Sequence, residues 1–190
     1  LTEKSKAKHF KLEQQVLQNA DSVLVVGETM KENYQHFNKN IHVISNGFDD
    51  AFSETKAILD SKFSITHVGL MNDDRNPVVL WNVLHEICKE NASFKDDLLI
   101  RIIGKIAESV TDEIAKFPSN SIEKINYLNH LEVTEYQQKS QILLLAINNV
   151  PSAKGIVTGK IFEYLQAQRP ILAIGPKDGD AAVILKNTNA

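Results

Sequence analysis

Five runs of apolar and β-branched residues, regularly separated by helix-patterned stretches, constrain this chain more than any other feature. The runs are SITHVG (64–69), LLIRIIG (98–104), KINYL (124–128), ILLLAI (142–147) and PILAIG (170–175). Between them the apolar spacing is helical at about 76–91, 107–117, 132–139 and 158–168, with a further helix from about 179. Strands that are apolar throughout, rather than alternating, belong to a sheet covered on both faces. Strand–helix–strand units of this length cross over right-handed, so the expected class is α/β with a doubly wound, Rossmann-like parallel sheet. Ligands of such sheets bind where loops leave the carboxyl ends of the strands. Here those loops are 69–76, 104–107, 128–132, 148–159 and 175–180.

A smaller pattern precedes this one. Residues 1–20 place Phe10, Leu12, Val16, Leu17 and Ala20 near one face of an amphipathic helix. A short strand (Ser22 to Gly27), a polar helix (about Glu28 to Phe37) and a second β-type stretch (His42 to Ser45) follow. Asn46-Gly47-Phe48-Asp49-Asp50 then reads as a turn or linker. The expected organisation is therefore residues 1–45, a linker at 46–52, and a domain from 53 to 190. The first residue is Leu and the last helix stops mid-pattern at Ala190, so the chain reads as a piece of something longer. A length of 190 residues fits one domain plus a fragment.

Composition narrows the partners. With 21 Lys+Arg against 24 Asp+Glu, the net charge of −3 argues against a nucleic-acid binder, which needs a basic surplus. Cys88 is the single cysteine, so neither an internal disulfide nor a cysteine-based zinc site is expected, and a reducing compartment is the default. The longest purely apolar run, Ile142 to Ile147, is far too short for a transmembrane segment.

The strand-end loops hold the candidate chemistry. Arg75 stands at a helix start, where its charge opposes the dipole unless an anion joins it. Two readings stay open: a solvated Arg paired with Asp73 or Asp74, or one side of a phosphate site. Pro77 suits a first helical position, with Asn76 or Asp74 as cap. The loop from Asn148 ends in Thr158-Gly159-Lys160 at the start of a helix, a composition suited to cradling phosphate. It lacks the spacing of a Walker A loop, and Thr158 as a plain helix cap is the competing reading. Glu163 is an acid in a first helical turn, favoured there by the dipole alone. Asp180 reads as a cap of the last helix. His67 lies within a strand and His130 just past one, without metal-ligand spacing, so no metal is expected. No Gly-x-Gly-x-x-Gly or Gly-x-Ser-x-Gly pattern appears, which lowers dinucleotide and hydrolase readings.

Taken together, Asn46-Gly47-Phe48-Asp49, the loop before Arg75, and above all GKIFEYLQAQRPILAIGPKDGDAAVIL (159–185) resemble one family. They look like retaining GT-B glycosyltransferases of the group 1, or family 4, kind, which use nucleotide-sugar donors. The resemblance implies that residues 1–45 are a remnant of the acceptor-binding N-terminal domain and that 53–190 belong to the donor-binding C-terminal domain. Its E-x7-E motif places the second Glu, which holds the nucleotide ribose, on Glu163, seven residues before Pro170. The first Glu falls on Gly155 and is absent. Thr158, Gly159 and Lys160 match the phosphate-facing helix start. The family's Gly-Arg after the first strand becomes Gly69-Leu70, so its Arg is missing, while Arg75 stands where a Lys is usual. Leu128 and Asn129 fall in the segment that meets the base, mostly through main chain.

What this implies is transfer of a sugar, with retention and without a cofactor or metal, to a glycan or lipid-linked acceptor. Arg75 and Lys160 would stabilise the leaving diphosphate and Glu163 would bind rather than react. A cytoplasmic location is implied, including the periphery of the inner membrane face. The fragment by itself is expected to bind nucleotide weakly and transfer nothing. Two rivals share the pattern: a non-hydrolysing nucleotide-sugar epimerase of similar architecture, and a catalytically idle binding domain.

Overall fold

The first helix, α1 (Glu3–Asn19), starts at Thr2, whose hydroxyl accepts from the Ser5 N–H. It leads into β1 (Val23–Val25), α2 (Glu28–Tyr34) and β2 (Ile41–Val43). β1 and β2 pair in parallel, Val23 opposite Ile41. The computed structural model describes residues 2–48 and 57–188. Positions 49–52 of the expected linker, and the expected domain start at 53, lie outside the described residues. The amphipathic reading of α1 needs correcting: Leu17 is buried, but Phe10, Leu12 and Val16 are exposed. A two-stranded sheet offers too little apolar surface to cover them.

The larger unit runs β3 (Phe63–Val68), α3 (Val78–Glu90), α4 (Ala92–Asp97), β4 (Leu98–Ile103), α5 (Glu108–Ile114), β5 (Ile122–Ile125) and α6 (His130–Lys139). It continues with β6 (Ile142–Ala146), α7 (Lys160–Gln166), β7 (Ile171–Ile174) and α8 (Asp180–Asn187). Its strands order as β5-β4-β3-β6-β7, every pair parallel. This is the expected doubly wound α/β sheet. Successive strands step outward from β3 in one direction and then, from β6, in the other. The switch point therefore lies between β3 and β6, where such sheets open a crevice.

Helices cover both faces. Trp81, Leu84, Val110 and Ile114 from α3 and α5 pack on Ile65, Ile100, Ile102 and Leu144. On the other face Ile161, Tyr164, Ala181 and Leu185 from α7 and α8 pack on Val68, Ile103, Leu143 and Leu145. The central strands are nonetheless not apolar throughout: Ser64, Thr66, His67 and Arg101 are buried in them. Most of this polarity is satisfied locally. The Gln141 N–H donates to Ser64 Oγ (2.9 Å), and Ser140 Oγ donates to Thr66 Oγ1 (2.6 Å). Arg101 spans Asp60 and Glu123, each at 2.6 Å, beneath the ring of Tyr136.

Candidate functional site

β3 ends at Val68, and Gly69 turns the chain with φ +101°, a conformation that L side chains rarely adopt. The bare α-carbon matters for a second reason. A Cβ there would lie 2.7 Å from both Cε and Nζ of Lys160, so the lysine lays its ammonium across Gly69. Lys160 is the first residue of α7, whose N-cap is Gly159. Thr158 is not the cap: its side chain makes no cap bond, and its buried Oγ1 has no partner among the described residues. Burial lowers the Lys160 pKa, the charge of Arg75 lowers it further, and Glu163 opposes both.

Arg75 closes a three-residue 3-10 turn, Asp73–Arg75, ahead of α3. Its Nε donates to Asn148 Oδ1 at 2.6 Å and its Nη1 to the Leu70 carbonyl at 3.2 Å. The loops after β3 and β6 are thus tied together by one guanidinium. The pairing with Asp73 or Asp74 does not occur: Asp73 instead accepts the Ser109 hydroxyl at 2.6 Å. Neither Arg75 nor Lys160 has a carboxylate within ion-pair distance among the described residues. Two half-buried cations sit at the switch point with no ion-pair partner among the described residues, and Glu163 offsets only part of their mutual repulsion. An anion bound between them would relieve it.

The expected caps shift as well. Pro77, not Asn76 or Asp74, holds the N-cap position of α3, and Asn76 instead accepts from Trp81 Nε1 at 2.8 Å. Gly179 is the N-cap of α8, and Asp180 turns away to Thr29. At Gly155 a Cβ would lie 3.3 Å from Thr29 Cγ2, a tight contact with α2.

Glu163 lies one turn below Lys160 and accepts from Gln137 Nε2 at 3.2 Å, which joins α7 to α6. Leu128 is half-buried just before α6, and Asn129 is its N-cap. Asn129 completes a capping box: its side chain accepts from Glu132 N–H, and its own N–H donates to Glu132 Oε2 at 3.0 Å. That N–H is therefore committed within the cap of α6 itself. His130 is exposed at the start of α6 and joins nothing in the site.

The structure therefore brings Gly69, Arg75 and Lys160 together. It sets Thr158 and Gly159 beside them and links Glu163 to Lys160 along α7. Leu128 and Asn129 sit on a separate loop, at the head of α6. Three residues escaped the sequence reading. Asn148 orients Arg75, and its position at the end of β6 was the available signal. Tyr164 is fully buried, and its hydroxyl accepts the Val68 N–H at 3.1 Å, clamping α7 to the end of β3. His67 feels the charge of both cations, and its buried Nε2 has no hydrogen-bond partner among the described residues. An open cleft of about 590 Å³ runs along Pro77, Ile147, Asn148, Gly175 and Pro176, and Arg75 lines it. Among the described residues there is no group of His, Cys, Asp or Glu arranged to hold a metal, and no helix long and apolar enough to cross a membrane.

No family model matches this chain, and no curated protein matches its sequence. Solved structures do. S. aureus TarM, in complex with Fondaparinux, alpha-GlcNAc-glycerol and UDP, aligns over 95% of this chain and 40% of its own at TM-score 0.61 and 16% identity. WaaG, a glycosyltransferase involved in lipopolysaccharide biosynthesis, aligns over 90% and 49% at TM-score 0.65 and 12% identity. The pneumococcal O-GlcNAc transferase GtfA, in complex with UDP and GlcNAc, aligns over 84% and 32% at 0.52 and 14% identity. What the chain shares with them is the fold: a partial GT-B architecture built on a Rossmann-like sheet. It spans less than half the length of each.

Proposed function

We propose that this chain is the donor-binding part of a glycosyltransferase, holding a nucleoside diphosphate sugar at the β3–β6 switch point. The observation that carries this is the convergence of Lys160 and Arg75 at Gly69 with no ion-pair partner among the described residues. The GT-B fold supports it, and so do neighbours crystallised with UDP.

The chemistry follows from charge. When the glycosidic bond to the donor breaks, negative charge grows on the β-phosphate. Fixed cations in a partly dry crevice stabilise that charge without having to reorganise. α7 has seven residues, so its dipole is short and the two side-chain cations dominate. Removing one of them raises the barrier by about 2–4 kcal/mol, the size of a single oxyanion donor. Glu163 holds the ribose hydroxyls and Leu128 meets the base through its main chain. In this reading the reaction proceeds with retention and without a metal. The whole protein supplies the site for a glycan or lipid-linked acceptor and works in polysaccharide assembly on the cytoplasmic side.

Product analysis on the whole protein tests the reaction. A nucleotide sugar offered with a glycan acceptor should yield a glycoside of unchanged anomeric configuration. Isomerised donor formed without acceptor would establish an epimerase instead, and no turnover at all an idle binding domain.

A further inference from the structure

His67 is the buried polar group that the nucleotide reading leaves unused. It is the second-last residue of β3 and 1% exposed. A carbonyl can only accept, so the 3.1 Å contact between Nδ1 and the Leu144 oxygen puts the ring proton on Nδ1. Nε2 is then the unprotonated nitrogen; it makes no hydrogen bond to a described residue, and the Leu70 carbonyl stands close enough to stabilise a proton on the ring. Burial, then the charges of Lys160 and Arg75, hold the ring pKa down at about 4, against the pull of the Leu144 and Leu70 carbonyls. At neutral pH the ring is an uncharged acceptor beside a cation pair.

The donors around it are unequally committed. Arg75 spends Nε on Asn148 and Nη1 on Leu70. Tyr164, from α7, gives its hydroxyl to the Leu144 carbonyl at 3.5 Å. The ammonium of Lys160, with three donors, makes no hydrogen bond to a described residue. A buried acceptor and an unused donor set therefore lie at the same strand end, and leaving both unmet is costly.

We propose that His67 is a positioning residue for the diphosphate: its Nε2 accepts one hydrogen bond from the Lys160 ammonium and turns the other N–H groups toward phosphate oxygens above Gly69. This rests on the nucleotide-sugar reading of the site. His67 itself touches no substrate.

The test titrates this chain at neutral pH with inorganic pyrophosphate and with UDP. His67→Phe keeps a ring but no acceptor, while His67→Gln keeps an acceptor. The first should weaken both probes about tenfold, the size of one hydrogen bond to a charged group, and the second by less than about threefold. In a Lys160→Met background His67→Phe should change nothing further, because the two act as one unit. Unaltered binding by His67→Phe, an equal loss in His67→Gln, or the same loss in both backgrounds overturns the proposal. The wild-type chain gives a readout that no folding defect can spoil. The nitrogen resonance of His67 Nε2 should shift in the direction of hydrogen bonding when pyrophosphate is added, and a resonance that stays put overturns the proposal. If the wild type binds neither probe, the nucleotide reading falls and this inference with it. Wild-type binding that His67→Phe leaves untouched sinks the inference alone.

Discussion

Asp180 reaches out of its own helix to Thr29, taking the threonine hydroxyl on one carboxylate oxygen at 2.8 Å and its main-chain N–H on the other at 3.1 Å. Thr29 belongs to α2 and Asp180 to α8, so this contact ties the two-stranded unit to the five-stranded one. Asp180→Ala leaves the Thr29 N–H without its acceptor at a cost of about 1–3 kcal/mol. Denaturant unfolding should report that loss. Amide exchange should locate it, with Thr29 exchanging faster and the amides of β4 unchanged.

Gly69→Ala combines two penalties at one atom. The positive φ costs a residue with a side chain about 1–3 kcal/mol. The new methyl also occupies the place of the Lys160 ammonium. Thermal unfolding should show the first effect, and loss of nucleotide binding the second. Lys160→Ala should reproduce the binding loss with little change in melting temperature.

Acid should weaken the fold in two stages, each assigned to one residue. His67 has its pKa depressed from 6.5 to about 4, by burial first and then by Lys160. The unfolded chain protonates it first, so its contribution is intact above pH 6.5 and drains away as pH falls toward 4. That stage is worth roughly 3 kcal/mol. For Asp60, burial alone raises the carboxyl, but hydrogen bonds from Arg101 and Ser64 and the charges of Arg101 and Lys139 outweigh it and hold the pKa low. Its contribution is present above the ordinary carboxylate range and is lost only as pH falls through the depressed value. Unfolding free energies measured across pH should lose the upper stage in His67→Phe and keep the lower one. Asp60→Asn should do the reverse.

Arg101 is a costly side chain to remove. It is 3% exposed and pairs with Asp60 and Glu123. Arg101→Met leaves the Asp60 carboxylate without its guanidinium, and breaking a pair of this kind costs about 3–5 kcal/mol. Equilibrium unfolding that shows less than about 1 kcal/mol would mean that solvent reaches the pair.

Much of the sheet was legible because burial on both faces writes itself as unbroken apolar runs, and ILLLAI gave β6 almost to the residue. Most of the misplaced caps share one cause: short polar residues have several uses, and sequence does not say which one wins. Tyr127 and Leu128 looked like strand, yet β5 starts and ends earlier, at Ile122–Ile125, and the following residues lead into the Asn129 capping box. Asn91 suggests only a formal glycosylation acceptor, Asn91-Ala92-Ser93, yet its side chain accepts from the Phe94 N–H and starts α4. Thr158, Asn76 and Asp180 were read as caps, and tertiary contacts or burial claimed each. In the site, Arg75 and Lys160 were legible as charges in strand-end loops. Their approach across Gly69 was not, since it depends on the order in which β3 and β6 pair. His67 carried no signal, because one histidine in a strand looks like any other core residue until its partners are known.

The charge pair itself is the point to strike. Calorimetric titration of this chain with UDP, GDP and ADP, in the wild type and in Arg75→Ala and Lys160→Ala, measures it directly. At least one of the three nucleotides should bind the wild type, and each substitution should weaken that binding by about 1.5–3 kcal/mol, the worth of a hydrogen bond to a charged group. Absence of binding at millimolar nucleotide, or two variants that bind as well as the wild type, would contradict a diphosphate site between Arg75 and Lys160.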